Sequence, residues 1–490
     1  MIHHVGVAMT THGRAWLLSF GLMTLLSAPS VPAESDYGLP ALGEQTVTYA
    51  GMDEERLGRA WLRQFRAQTG QWSDPITQRY LESIVARLVP NSNLGDIHPT
   101  VVLVASRMLN AFAVPGGVMG VNTGLFLFAP DRDAFASVLA HELGHLSQHH
   151  FARQMQQAER SQLPTMAALL AGMIIAAGGG GSDFGVATIA GTQAAFLQNQ
   201  LAYSRQYEEE ADRVGLEALA RAGMDPQAMP RMFRAMQRIA SLQGNSPPEF
   251  LLTHPLTESR INYAQARANQ LHAKENPPGP EYDMIRARAM LAINMSEPTQ
   301  AQIRLKQDTD NPFAFRYLDA LIDSVQNRPD QALAKFDKLA AELPDLLMIP
   351  ASAADAALDA NRRQEALDRA RRILRFAPHY YPARMTEGEA LLTLDPAQAF
   401  EVLRKLSEER PEDPDIWNLL AEAAGRSGRN AWGHLAMGER MQLNGRLDSA
   451  LKQLDYAEKA ADQADDFAMK SRIRNRRADF QHYRNDLDQF

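Results

Sequence analysis

His141, Glu142 and His145 stand in the order His-Glu-Leu-Gly-His. Two histidines four residues apart lie on one face of a helix, about one turn from each other, so both imidazoles reach a single metal ion. A glutamate directly after the first histidine falls beside that metal, where it can take a proton from water. The pattern points to metal-assisted hydrolysis. A hydrolytic zinc site needs a third protein ligand and one open position. The sequence contains no cysteine, so every thiolate site is excluded and the ligand must be His, Asp or Glu. The segment Tyr203-Ser204-Arg205-Gln206-Tyr207-Glu208-Glu209-Glu210-Ala211-Asp212 offers Glu208 and Asp212 one helical turn apart. One carboxylate of such a pair can bind the metal, and the other can accept the N–H of a ligand histidine and fix its tautomer. Spacing alone does not choose Glu208 over Glu209 or Glu210. His149 and His150 follow the motif closely, and both read as solvated or supporting groups rather than ligands.

Helices and strands must hold these groups. Asp131 or Asp133 offers an N-cap for a helix through His150, with Phe135, Val138, Leu139 and Leu143 as its buried stripe. From Asp53 to Leu88 the apolar spacing is helical. Val101-Val102-Leu103-Val104 and Phe112-Ala113-Val114 read as short strands, the second stopped by Pro115-Gly116-Gly117. Val118 to Leu127 reads as a third strand with a break at Asn122-Thr123-Gly124, and Gln193 to Arg221 as a helix. Met166 to Ala177 is apolar but shorter than the ~20 residues a membrane span needs. It ends in four glycines and reads as a buried helix before a loop, with peripheral membrane contact as the sharper alternative.

The two ends of the sequence differ from this middle. Arg14 precedes an apolar run from Ala15 to Leu26, and Val31-Pro32-Ala33 follows, so residues 1–33 read as a cleavable secretory signal. Pro277-Pro278-Gly279-Pro280 marks a linker. Beyond it Pro312, Pro344, Pro378 and Pro411 recur at intervals of 32, 34 and 33, with Ala332-Leu333, Ala366-Leu367 and Ala399-Phe400 between them. A period near 34 with small-large helical pairs is the tetratricopeptide pattern, in which each helix pair buries its apolar face only on its neighbours. The formal net charge of -8 argues against a dedicated nucleic-acid binder.

The spacing His141-Glu-Leu-Gly-His145 followed by Ser204-Arg205-x-x-Glu208-x-x-Ala211-Asp212 resembles the HtpX and CAAX-prenyl-protease group of gluzincin peptidases. Asn110-Ala111-Phe112-Ala113-Val114-Pro115-Gly116-Gly117 is similar to that group's edge-strand segment, and Thr253-His254-Pro255-Leu256 with Arg260 and Ile261 to its downstream signature. The resemblance implies one zinc ion per chain held by His141, His145 and Glu208, with Asp212 as the supporting carboxylate and Glu142 as catalytic base. It also implies that His254 and Arg260 stabilise the oxyanion, that Asn110 holds substrate, and that the Phe112 strand pairs with an extended peptide. His254 has a second possible place, as a fourth zinc ligand in a resting enzyme.

The expected fold class is mainly α (α+β). A gluzincin domain with a small β-sheet spans 45–275, and an α-solenoid of tetratricopeptide repeats spans 281–490. Members embedded in membranes carry transmembrane helices, and this sequence has none after the signal. A signal, a soluble catalytic domain and C-terminal repeats together resemble an exported, periplasmic branch of the group. That branch implies an endopeptidase acting on unfolded or misassembled outer-membrane proteins and docking on the barrel assembly machinery through its repeats. The competing expectation is a chaperone or scaffold that works mainly through the repeats, with latent proteolysis.

Overall fold

In the computed structural model the described residues are 54–95, 97–154, 174, 205–243, 248–272 and 279–487. They belong to one compact unit running from Thr48 to the C-terminus. The expected signal, nearly all of the Met166–Ala177 run with its glycines, and Pro277-Pro278 lie outside the described residues.

The helical spacing between Asp53 and Leu88 resolves into two helices, α1 (Glu54–Gln68) and α2 (Pro75–Leu88). Asp74 stops the gap between them by capping α2, its carboxylate accepting from the Ile76 and Thr77 amides at 3.1 Å each. Three strands follow: β1 (Thr100–Val104), β2 (Ala111–Val114) and β3 (Val118–Asn122). Their order is β1-β3-β2, with β1 parallel and β2 antiparallel to β3, so β2 lies at an edge. Successive side chains leave opposite faces of a strand. Val102, Val104, Phe112, Val114 and Val118 therefore pack on Leu57, Trp61, Leu62 and Phe65 of α1. Val101, Leu103, Ala111, Ala113, Met119 and Val121 face the main core.

The third strand does not run on to Leu127. It ends at Asn122, and α3 (Thr123–Phe128) begins at once. The Thr123 hydroxyl donates to the Val104 carbonyl at 2.8 Å, and a β-carbon on Gly124 would lie 2.3 Å from the Arg107 carbonyl oxygen, so the chain turns where only glycine fits. α4 (Arg132–Ser147) is capped by Asp131, which accepts from the Ala134 amide at 2.8 Å. It stops at Ser147 instead of His150, because His149 takes a left-handed φ of 49°. The chain then re-enters a helical turn at His150. α5 (Arg205–Arg221), α6 (Ala228–Gln243), α7 (Glu249–Thr253) and α8 (Glu258–Ala268) complete this part.

Helices then follow one another: α9 (Glu281–Ile293), α10 (Pro298–Asp308), α11 (Pro312–Val325), α12 (Pro329–Glu342), α13 (Met348–Asp359), α14 (Arg363–Leu374), α15 (Tyr381–Leu394), α16 (Pro396–Glu409), α17 (Pro414–Arg426), α18 (Asn430–Leu443), α19 (Leu447–Gln463) and α20 (Phe467–Leu487). Ala332, Ala366 and Ala399 are fully buried one turn into α12, α14 and α16, where a larger side chain would hold neighbouring helices apart. Pro344, Pro378 and Pro411 fall in the loops after those helices, whereas Pro312 opens α11. No helix among the described residues is long and apolar enough to cross a membrane.

The helical array packs closely on the preceding part. Arg288 of α9 grips Asp74 through Nε at 2.8 Å and Nη2 at 3.0 Å. Arg410 reaches Glu82 of α2 at 3.0 Å, and Arg66 of α1 donates to the Glu412 carbonyl at 2.8 Å. Arg63 of α1 donates to Gln442 at 2.8 Å and lies over the Tyr483 ring, and Arg56 pairs with Asp486.

Candidate metal centre

α4 and α5 cross at glycine. A β-carbon on Gly144 would sit 2.7 Å from the Ala211 carbonyl oxygen, and one on Gly215 would sit 3.0 Å from the Ala140 carbonyl carbon. The two backbones therefore touch, and the His141 face of α4 meets the Glu208 face of α5. α7 and the turn after it bring His254 over the same point.

His141, His145, Glu208 and His254 are each no more than 3% exposed. One ligand atom from each lies within 4.8 Å of every other. His141 Nε2 is 3.0 Å from His145 Nε2, 3.4 Å from His254 Nδ1 and 3.6 Å from Glu208 Oε2. Glu208 Oε1 is 3.5 Å from His145 Nε2 and 3.1 Å from His254 Nδ1. A tetrahedral ion with bonds of ~2.0–2.1 Å has ligand atoms about 3.3 Å apart, so these separations match its edges. The proton positions agree. Asp212 Oδ1 lies 2.8 Å from His141 Nδ1. A carboxylate only accepts, so the hydrogen is on Nδ1 and Nε2 presents a bare lone pair. Lone pairs that converge in a buried site call for a cation, and the donor set of imidazoles and a carboxylate suits zinc.

Other groups hold these in place. Arg260 forks onto Asp212, with Nε to Oδ2 and Nη2 to Oδ1 both at 2.8 Å, and its Nη1 reaches Glu208 at 2.6 Å and the Pro255 carbonyl at 2.7 Å. These contacts put Arg260 in a holding position behind the two carboxylates. Burial would raise the carboxyls of Asp212 and Glu208, but Arg260 beside both, with His141 beside Asp212 and His254 beside Glu208, keeps both below the usual range.

Glu142 is buried, its Oε1 has no hydrogen-bond partner, and that atom lies 3.5 Å from His254 Nε2. The Ala113 amide of β2 bonds its carboxylate. Burial pushes the Glu142 carboxyl up, the direction that suits a base working near neutrality. Asn110 is buried directly before β2, its carbonyl accepting from the Asn122 amide at 3.1 Å.

His149 and His150 part company. His149 is largely exposed and lies 3.7 Å from Glu54. His150 is wholly buried, with Nδ1 2.9 Å from His145 Nδ1 and Nε2 3.0 Å from Glu210 Oε2. Burial lowers its pKa to about 4. Sequence spacing gave no sign of this contact, because a helix continued past Ser147 would carry a residue five places on away from the His145 face.

The family model of peptidase family M48 matches residues 75–268, which hold all of these groups. The beta-barrel assembly-enhancing protease of Escherichia coli (strain K12) is 30% identical over 446 residues, 89% of this chain and 90% of that one. The chain belongs to this family of M48 peptidases. A relative of the same name from Yersinia pestis is 29% identical over 427 residues, 86% of this chain and 87% of its own. The mitochondrial metalloendopeptidase OMA1 of Schizosaccharomyces pombe is 27% identical over 188 residues, 38% of this chain and 51% of that one. Family membership and the buried cluster together make the chain a zinc metalloendopeptidase.

Proposed function

We propose that the chain is a periplasmic endopeptidase that degrades misassembled outer-membrane proteins and assists their assembly, and that it rests in a latched state. The observation that carries the latch is the position of His254. Its Nδ1 fills the fourth corner around His141, His145 and Glu208, while its Nε2 faces Glu142. One side chain thus occupies both the place where water must sit and the side of the base that must receive its proton.

Bound zinc supplies Lewis acidity that makes water a stronger acid and polarises a carbonyl. Glu142 takes the proton as water oxygen bonds to the scissile carbonyl carbon, and returns it to the amine nitrogen as the C–N bond breaks. His141, His145 and Glu208 hold the ion, Asp212 fixes the His141 tautomer, and Arg260 fixes both carboxylates. An extended peptide adds to the outer edge of β2 beside Asn110, which brings its carbonyl to Glu142. His254 must swing away before this happens.

Residues 1–33 direct export, residues 45–275 form the peptidase part, and residues 281–490 form tetratricopeptide repeats that dock unfolded outer-membrane proteins or the barrel assembly machinery. The names of the full-length relatives support that substrate class. A chaperone role through the repeats with latent proteolysis is the second reading, and the same His254 position favours it.

The test is zinc content and casein cleavage of the purified chain beside Glu142→Gln and His254→Ala. Wild type and Glu142→Gln should each hold one zinc, with cleavage reduced about 10²–10⁴-fold in Glu142→Gln. His254→Ala should cleave faster than wild type. Undiminished cleavage by Glu142→Gln would remove the catalytic reading, and no gain in His254→Ala would remove the latch.

A further inference from the structure

A histidine that binds a metal through one ring nitrogen holds the other in a fixed hydrogen bond, which sets the tautomer and the angle of the ring. Asp212 does this for His141. For His145 the atom in that position is Nδ1 of a second imidazole, His150, at 2.9 Å. Two ring nitrogens at this distance need one donor and one acceptor.

The direction is fixed from both ends. His145 Nε2 faces the metal corner, 3.0 Å from His141 Nε2, and must be bare, so its hydrogen is on Nδ1. His150 Nδ1 must then accept, which places the His150 hydrogen on Nε2. There Glu210 Oε2 waits at 3.0 Å, and a carboxylate can only accept. Arg153 Nη1 holds the same oxygen at 2.7 Å. The Tyr207 ring lies flat against His150, with centroids 4.6 Å apart and planes 12° apart, and the Arg153 guanidinium covers its ring. Nothing in this row of groups is left to rotate.

We propose that His150 is a positioning residue for the metal ligand His145, joining it to Glu210 in a Glu210–His150–His145 relay that keeps the Nε2 lone pair of His145 on the metal. The proposal rests on the metal centre described above. It gives the second ligand histidine a carboxylate behind it, as Asp212 stands behind the first, with one imidazole interposed. A neutral imidazole suits the gap because it accepts at one nitrogen and donates at the other. The carboxylate polarises His150, and His150 in turn raises the donor strength of His145.

The test separates hydrogen bonding from packing. His150→Phe keeps the volume and the stacking on Tyr207 but cannot accept. His150→Asn loses the stacking but places an acceptor oxygen about where Nδ1 lies. Zinc affinity of the full chain is measured by chelator competition, with the melting of the metal-free protein recorded for each variant. The Phe variant should bind zinc about 10- to 100-fold more weakly while its metal-free form melts close to wild type, and the Asn variant should recover most of the affinity. A Phe variant that binds as tightly as wild type, or an Asn variant no better than Phe, would overturn the relay. A wild-type chain that binds no zinc would overturn the metal centre itself and the relay with it.

Discussion

Gly144 stands against Ala211 with no room for another atom: a β-carbon on Gly144 would lie 2.7 Å from the Ala211 carbonyl oxygen and 2.9 Å from its Cα. The motif helix and the Glu208 helix are held at backbone contact. Gly144→Ala must part them, and the neighbours are backbone that cannot rotate away. We expect a loss of about 1–3 kcal/mol in stability and weaker zinc binding. Gly425→Ala meets nothing within 4 Å and serves as the control. Urea unfolding and chelator competition check both; an unchanged Gly144→Ala protein would mean the helices are not in contact.

Arg260 neutralises two buried carboxylates at once. Its removal in Arg260→Ala leaves Glu208 and Asp212 with only the His254 and His141 imidazoles beside them, and such losses cost about 3–5 kcal/mol. The expectation applies to the metal-free protein, where no ion can substitute. Arg260→Lys keeps the charge but loses the fork, and should fall between the two. Equal unfolding midpoints for Ala and wild type in chelator would contradict this account.

Asp74 has two tasks, capping α2 and pairing with Arg288. Asparagine caps as well as aspartate but carries no charge. Asp74→Asn should therefore report the ion pair, and Asp74→Ala the pair together with the cap, which adds about 1 kcal/mol. Identical losses in the two variants would assign the whole effect to the charge.

Asp355 sits beside Arg288, Asp74 and Asp359, and accepts from the Thr386 hydroxyl at 2.7 Å. Burial, opposed by Arg288 and aided by Asp74 and Asp359, raises its carboxyl to about 7. The folded chain then holds a proton that the unfolded chain releases near pH 4, so this contribution is complete below pH 4 and lost as pH rises through 7. Asp355→Asn cannot lose a proton. Its stability relative to wild type should grow by about 2–4 kcal/mol between pH 4 and pH 8. Denaturant titrations at several pH values measure it, and a difference independent of pH would place Asp355 in water.

His141, Glu142 and His145 were legible because their chemistry depends on local spacing within one helix. Glu208 was not separable from Glu209 and Glu210 by residue type. The structure distinguishes them by helical face: Glu208 shares the buried side with Ala211, Asp212 and Gly215, Glu209 is exposed, and Glu210 turns toward His150 and Arg153. The break read at Asn122-Thr123-Gly124 is where the third strand ends, with the Thr123 hydroxyl bonded to the neighbouring strand β1, but the helix that follows it was not legible. Which of His149 and His150 supports the site was not legible either. The left-handed turn at His149 folds His150 back beneath His145, and the residue type there does not demand that conformation. A run of consecutive helices was legible from alanine and proline spacing, but the arginines that bind it to α1 and α2 were not, since their partners lie hundreds of residues away.

Arg56 and Asp486 are paired across 430 positions of sequence. α1 is the first helix of the described chain to be synthesised and α20 the last, yet the arginine face of α1 finds its partners only once α18 and α20 exist. Helical arrays ordinarily form from neighbour to neighbour and can begin anywhere. Here that freedom ends in a closure step with a high loop entropy, which must wait for the final residues. A chain shortened by its last helix would leave Arg56 without Asp486 and Arg63 without the Tyr483 ring, and the defect would be felt at the opposite end of the sequence from the cut.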